Sequence, residues 1–360
     1  MVANAVPSSP PESGFRRLGY RVSRISRPLL EGWHESTAHR KILAAAVQFG
    51  KQNAVELVLA PLHSPSTIRL AKPVAEALGV PLIVILWEPP EYVLRCCYDV
   101  DAWTIKGMLR SFEQAVRHAK RCGAASWPMK ARYQERYGTD CVAMLYGEWI
   151  SPGNRVPKPA DAGRPIVIAF AGFLYALDAW DVLLAALGRT GWRIAGRDVV
   201  IRMMGSAIQQ RVSAPVRIEF LGHRRNQAEV RQLLSEADLG YLPYWFDEGH
   251  REFAELAFPS KLVAYASARL PILFHGPGYA SPCEFLRRFP VGLACNSLNE
   301  DALLACIEQL VCDRSFLERA AEACDAAFQE ELGFEVFRRR FAELIGIAPS
   351  CLRQVSEVGS

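Results

Sequence analysis

The sequence predicts an α/β protein built from two doubly wound domains that face each other across a cleft. Three observations carry this expectation. Apolar runs of strand length alternate with amphipathic helical stretches along most of the chain, which implies right-handed crossovers and parallel sheets covered on both faces. The 360 residues, 50% apolar and 22% charged, are enough for two ordinary cores. A Pro/Gly-rich segment from Glu148 to Pro165, with SPGNRVPKPADAGRP inside it, separates two repeats of the rhythm as a linker.

In the first half, strands are expected at Tyr20–Ser26, Val55–Pro61, Pro81–Trp87, Gly123–Trp127 and Cys141–Tyr146. Helices fill the gaps at Glu35–Asn53, Thr67–Leu78, Val100–Cys122 and Met129–Tyr137. In the second half, strands are expected at Ile166–Gly172, Val199–Met204, Arg217–Leu221, Leu239–Pro243, Pro271–His275 and Gly292–Cys295, with helices at Ala179–Leu187, Gln227–Ala237, Pro259–Ala268 and Asp301–Cys312. A helical pattern then runs from Ser315 to Ile347 with a break at Leu332-Gly333. The boundaries that follow are a first domain over 1–150 with a flexible lead-in over 1–14, a linker over 151–164, and a second domain over 165–335. The segment 336–360 is expected to carry a helix back to the first domain and end as a tail. No repeat of 20–50 residues is visible, which argues against a solenoid.

Bulk properties exclude several classes. The net charge is +4 with no block of five or more basic residues, so a nucleic-acid surface is not indicated. The clusters Arg16-Arg17 and Arg338-Arg339-Arg340 leave two readings, peripheral contact with anionic lipid or solvated helix faces. Apolar runs such as VPLIVILW (80–87) are too short to span a bilayer. The start, MVANAVPSSPPESG, has neither a basic beginning nor a continuous apolar core, so it reads as a poor signal peptide. Ten cysteines without a CxxC pair read as buried free thiols of a reducing compartment, so a cytoplasmic protein is expected, with contact at the inner membrane face left open.

Ligands of doubly wound sheets bind at the carboxyl ends of the strands, so the residues there are the candidates. In Phe258-Pro259-Ser260-Lys261-Leu262, Pro259 marks a helix start and Lys261 falls in the first turn. A cation there costs about 0.3–1 kcal/mol unless an anion sits in front of it. Either Lys261 snorkels into solvent, or it joins Ser260 and the helix end in holding a phosphate. The strand PIVIAFAG ends at Gly172, and the turn through Phe173 and Leu174 lets a ligand approach the backbone, although it lacks Gly-x-Gly-x-x-Gly spacing. Gly205 and Ser206 end the next strand, near Arg202. His223 and Arg224 follow another strand and glycine, as base or phosphate contacts or as solvated charges. Tyr244 opens an aromatic and acidic loop, through His250, that could floor a pocket. In the first domain, Trp87 and Glu88 follow a buried strand and His63 and Ser64 the one before; cleft residues or, respectively, a proline-locked turn and a cap are the two readings. Glu252 and Glu255 are not read as a glycosidase pair.

The segment FPSKLVAYASARLPILFHGPG resembles the donor-binding region of nucleotide-sugar glycosyltransferases of the GT-B fold, of the retaining family 4 kind, with Tyr265 in its expected place. VIAFAGFLYALDAWDVLLAAL, VIRMMGS and IEFLGHRRNQAEVRQLLSEADLGYLP resemble the units around it in order, and VELVLAPLHSPSTIRLAKPVAEALGVPLIVILWEPPEYVL resembles the acceptor domain. The likeness spans roughly residues 55–312. It implies two Rossmann-like domains, a nucleoside diphosphate sugar as donor, and a glycan, lipid-linked or small-molecule acceptor. It also implies no metal and no cofactor. Lys261 and Glu88 are the implied catalytic residues. Gly172, Phe173, Leu174, Arg202, Gly205, Ser206, His223, Arg224, Tyr244, Pro259, Ser260, Lys261 and Tyr265 would line the donor side, and His63, Ser64, Trp87 and Glu88 the acceptor side. The chain departs from the pattern: Leu256 and Ala264 stand where the family has two glutamates, and Phe173 and Asp178 where it has Arg and Lys. Phosphate binding would then lean on Lys261 with Arg202 or Arg224. A catalytically degenerate domain that binds a glycan or a protein is the alternative. A Rossmann dehydrogenase is disfavoured, because no Gly-x-Gly-x-x-Gly follows an early strand.

Overall fold

The computed structural model describes residues 38–96, 98, 102–149, 163–205, 217–224 and 226–352. The strand expected at Tyr20–Ser26, the Arg16-Arg17 pair, Ser206 and most of the linker lie outside them. Two parallel sheets are present, one of four strands and one of seven.

In the first domain a helix over 38–52 (α1) precedes β1 (Val58–Pro61), α2 (Pro65–Leu78), β2 (Leu82–Leu86), α3 (Pro90–Cys96), α4 (Ala102–His118), β3 (Arg121–Ala124), α5 (Trp127–Tyr137) and β4 (Cys141–Ala143). The strands lie in the order β1-β2-β3-β4, all parallel. Residues of alternate parity on each strand face opposite ways. Leu82, Val84, Leu86, Cys122 and Ala124 pack with α2, α4 and α5, whereas Ile83, Ile85, Val142 and Met144 pack with Leu344 of the last helix.

Several boundaries moved for local reasons. The helix expected to run to Cys122 ends at His118, because Arg121–Ala124 is needed as a strand between β2 and β4. That displaces α5 toward its cap, Ser126, whose Oγ accepts the Met129 N–H at 3.1 Å. The turn after Glu88 continues into α3, with Pro90 starting the helix.

The second domain comprises β5 (Ile166–Ala171), α6 (Leu177–Arg189), β6 (Arg193–Ile194), β7 (Arg197–Met204), β8 (Ile218–Phe220), α7 (Gln227–Ser235), β9 (Leu239–Pro243), α8 (Arg251–Leu256), α9 (Ser260–Ser267), β10 (Ile272–His275), α10 (Ser281–Arg288), β11 (Gly292–Cys295), α11 (Glu300–Cys312) and α12 (Arg314–Ala327). The parallel strands run β11-β10-β9-β5-β7-β8, with β6 added as an antiparallel hairpin on the start of β7. This is the 3-2-1-4-5-6 order of a doubly wound sheet, and its direction of winding reverses between β5 and β9. Those two strands pair only through Ile168–Leu239 and Ala169–Gly240 and then part. Among the described residues, no helix is long and apolar enough to cross a membrane.

Two connections bind the domains. The α8 helix buries Leu256 in the first domain's core; Ser126 donates to the Leu256 carbonyl at 2.6 Å, and Arg132 pairs with Glu255. After α12 the chain forms a π-helical turn (Phe328–Leu332) and crosses to the first domain, where α13 (Phe334–Ile345) covers the second face of the four-stranded sheet. At the crossing, Glu148 N–H donates to Leu332 at 2.8 Å and Phe334 N–H to Glu148 at 3.0 Å. The arginine cluster over 338–340, read either as a lipid contact or as a solvated helix face, is only partly open. Arg338 and Arg340 are only 16% and 18% exposed, with Arg340 paired to the buried Glu331 and Arg338 donating to the Pro349 and Leu352 carbonyls, so Arg339 alone faces outward.

Candidate active site

The winding reversal places the ends of β5, β7 and β9 beside the start of α9. Gly172, Gly205 and Gly222 end β5, β7 and β8 with φ of +93°, +152° and +72°, the left-handed side of the map that a side chain disfavours. They are laced together: Gly172 N–H donates to Met204 at 2.7 Å and Gly205 N–H to Gly222 at 3.1 Å. A Cβ on Gly205 would fall 2.2 Å from the Gly172 carbonyl oxygen, so only glycine permits this approach.

Lys261 sits over this glycine floor. Its Cε lies 3.3 Å from where a Gly172 Cβ would be, and its Nζ lies 4.4 Å from the Tyr175 ring centroid and 5.5 Å from that of Phe170. Burial alone pulls the ammonium down to about 8, and among the described residues no carboxylate offsets it. Pro259 caps α9 with no side-chain hydrogen bond, and Ser260 is exposed beside it. A partly desolvated cation, the positive end of a helix and a bare-backbone floor lie side by side here, the features that favour an anion.

Lys261 heads a stack of rings. Tyr175 lies on Trp245 at 4.4 Å and Trp245 on His250 at 4.2 Å, with His250 Nδ1 2.8 Å from Asp247. Asp178 Oδ2 accepts the Phe246 N–H at 2.9 Å, joining the loops on either side of the reversal. Glu88 faces this stack from the first domain. Burial raises its pKa, with His63 opposing, and its charge adds to the burial that keeps Tyr175 and Tyr244 protonated.

The remaining candidates divide. Tyr265 lies behind the site: its hydroxyl accepts the Ala171 N–H at 3.1 Å and donates to the Tyr241 carbonyl at 3.0 Å, bridging β5 and β9 where they part, and Gly240 leaves room for its ring. Tyr244 is likewise buried, under Tyr175. Arg202, a candidate phosphate contact, has its guanidinium paired with Glu219 at 2.8 Å and Glu236 at 3.4 Å. Arg224 pairs with Glu229 at 3.2 Å while its buried Nε has no partner; His223 is exposed. Phe173 is 68% exposed at the rim and Leu174 is buried beneath it. Ser64 caps α2 in a capping box with Thr67. Tyr175, Asp247 and His250 were not singled out from sequence, although an aromatic residue three positions after a strand-end glycine was a signal for the first. Among the described residues, no group of three or more His, Cys, Asp or Glu is placed to hold a metal ion.

Two Rossmann-like domains, each built on a parallel sheet, define the GT-B fold. Solved structures bear this out. HepE of Anabaena in complex with UDP superposes with a TM-score of 0.63 at 16% identity, covering 85% of this chain and 82% of that one, and HepE with UDP-glucose with 0.58 at 15%, covering 85% and 82%. Sucrose-phosphate synthase from Thermosynechococcus elongatus matches with 0.62 at 12% over 85% and 77%, and the lipopolysaccharide outer core galactosyltransferase WaaB with 0.55 at 14% over 86% and 80%. No family model matches the sequence, and neither does any curated protein.

Proposed function

We propose that this chain transfers a sugar from a nucleoside diphosphate donor to an acceptor hydroxyl, with retention at the anomeric carbon. The observation that carries the reading is Lys261, a largely buried ammonium with no carboxylate beside it among the described residues, poised over the glycine floor at the start of α9. The bond between the anomeric carbon and the diphosphate oxygen breaks, and its electron pair leaves with the diphosphate. Lys261 and the α9 end stabilise that growing charge. The acceptor oxygen bonds to the anomeric carbon, and its proton passes to the departing diphosphate. Glu88, on the opposite wall, orients hydroxyls near the reacting carbon. Retention rests on the resemblance of the α9 segment, and the UDP and UDP-glucose complexes of HepE favour a uridine nucleotide.

A panel of UDP-, GDP- and ADP-sugars tests this by thermal shift and by release of nucleoside diphosphate. At least one donor is expected to stabilise the protein and be turned over. Folded protein that neither shifts nor turns over any donor would sink the proposal. A binding module without catalysis is the second reading, favoured by Ala264 where a ribose-binding carboxylate is expected and by Arg202 being held by its own carboxylates. Donor hydrolysis above background excludes it.

A further inference from the structure

Resting on the glycosyltransferase reading, we infer that the acceptor is an uncharged sugar, whose ring stacks on Tyr146 above Trp87 while its hydroxyls meet Glu88. Trp87 and Tyr146 lie nearly parallel, centroids 5.0 Å apart at 26°, and the Tyr146 ring is 40% exposed. An open aromatic face with a polar rim matches the C–H face of a pyranose, and a carboxylate at its edge accepts from sugar hydroxyls.

Glu88 lies within charge range of Tyr146, whose pKa burial raises first and Glu88 further. The other charge that acts on Glu88 is His63, so the carboxylate has no lysine or arginine to neutralise it among the described residues. A phosphorylated acceptor would be repelled by the carboxylate at this wall, whereas a neutral one would donate its hydroxyls to it.

The platform is also held still. Gly147 packs so closely on Phe337 that a Cβ there would fall 2.5 Å from its Cβ, and the next residue, Glu148, is fixed by its two backbone bonds to the Leu332–Phe334 crossing. Tyr146 is thus presented on a segment that cannot swing away, which lowers the entropy cost of stacking.

The test titrates full-length protein with methyl and octyl glucoside, galactoside and mannoside and with the matching hexose phosphates, each with and without UDP. Tyr146→Ala and Tyr146→Phe are measured alongside, with UDP affinity as a separate readout. At least one methyl glycoside is expected to bind saturably, tenfold or more weaker in Tyr146→Ala and near normal in Tyr146→Phe, with UDP affinity unchanged in both. Similar binding of methyl and octyl forms supports recognition of the sugar, free or lipid-borne. Octyl-only binding, preference for hexose phosphates, no saturable glycoside binding, or undiminished binding by Tyr146→Ala each overturn the inference. Glycoside binding without UDP binding upholds this subsite and removes the donor reading.

Discussion

The ammonium of Lys261 lies 4.4 Å above the Tyr175 ring with no carboxylate beside it among the described residues, a position that burial makes costly for the free protein. The depression from 10.5 to about 8 corresponds to on the order of 3 kcal/mol against the charged form at neutral pH. Lys261→Met keeps the length and removes the charge. It is expected to raise the melting temperature of the ligand-free protein while lowering UDP affinity by about 10–100-fold, the worth of a charge-assisted hydrogen bond. Calorimetric titration with UDP and a thermal melt check both, and an unstabilised variant with normal affinity would end the assignment.

The same shift fixes a pH dependence. Lys261 has a folded pKa below its unfolded value, so from about 8 to 10.5 the unfolded chain binds the extra proton, and this group makes stability rise with pH across that window. A diphosphate raises the lysine's pKa again, so binding above about pH 8 takes up a proton. UDP affinity is expected to fall as pH rises from 8 to about 9.5, by up to roughly tenfold per unit, and to lose this slope in Lys261→Met. Titrations in buffers of different ionisation enthalpy report the proton directly.

Tyr265 separates support from contact. Its hydroxyl serves the Ala171 N–H and the Tyr241 carbonyl, two buried groups at the parting of β5 and β9. Tyr265→Phe is expected to cost about 1–3 kcal/mol in denaturant unfolding. A donor KM moved by less than twofold beside that loss marks the tyrosine as structural. A large KM change without loss of stability would return it to the ligand.

What was legible in the sequence was local. The Phe258–Lys261 helix start, the strand-end glycines at 172 and 205 and the strands β5, β7, β9, β10 and β11 all depend on residues within a turn of one another. The short helices α3, α8 and α10 were missed because 6–8 residues give too little periodicity, and their burial is set by the partners across the domain boundary. Arg202 illustrates the same limit: the sequence offers it as a phosphate contact in place of the family's missing Arg and Lys, yet Glu219 and Glu236, distant in sequence, pair with it. Arg202→Ala is therefore expected to leave UDP affinity unchanged within about twofold, since an occupied surface ion pair contributes only about 0–1 kcal/mol. A tenfold loss on titration would show that the arginine leaves its carboxylates for the ligand.

The crossing between the domains turns on Glu331, a carboxylate 2% exposed within the π-helical turn, held by Arg288 of α10 at 3.1 Å and by Arg340 of α13. One arginine belongs to the second domain and the other to the helix packed on the first, so this single side chain joins both to the connection. Removing its charge leaves two guanidinium groups without their shared carboxylate, where Arg340 Nη1 is already unpartnered. Breaking a buried pair from one side typically costs 3–5 kcal/mol. Glu331→Gln is accordingly expected to lower the unfolding free energy measured by denaturant titration by an amount in that range, and combining it with Arg340→Met to recover part of the loss, because the second change removes one of the unpaired cations. Additive losses in the double variant would mean that the two residues act independently, and the coupling assigned to the crossing would fall.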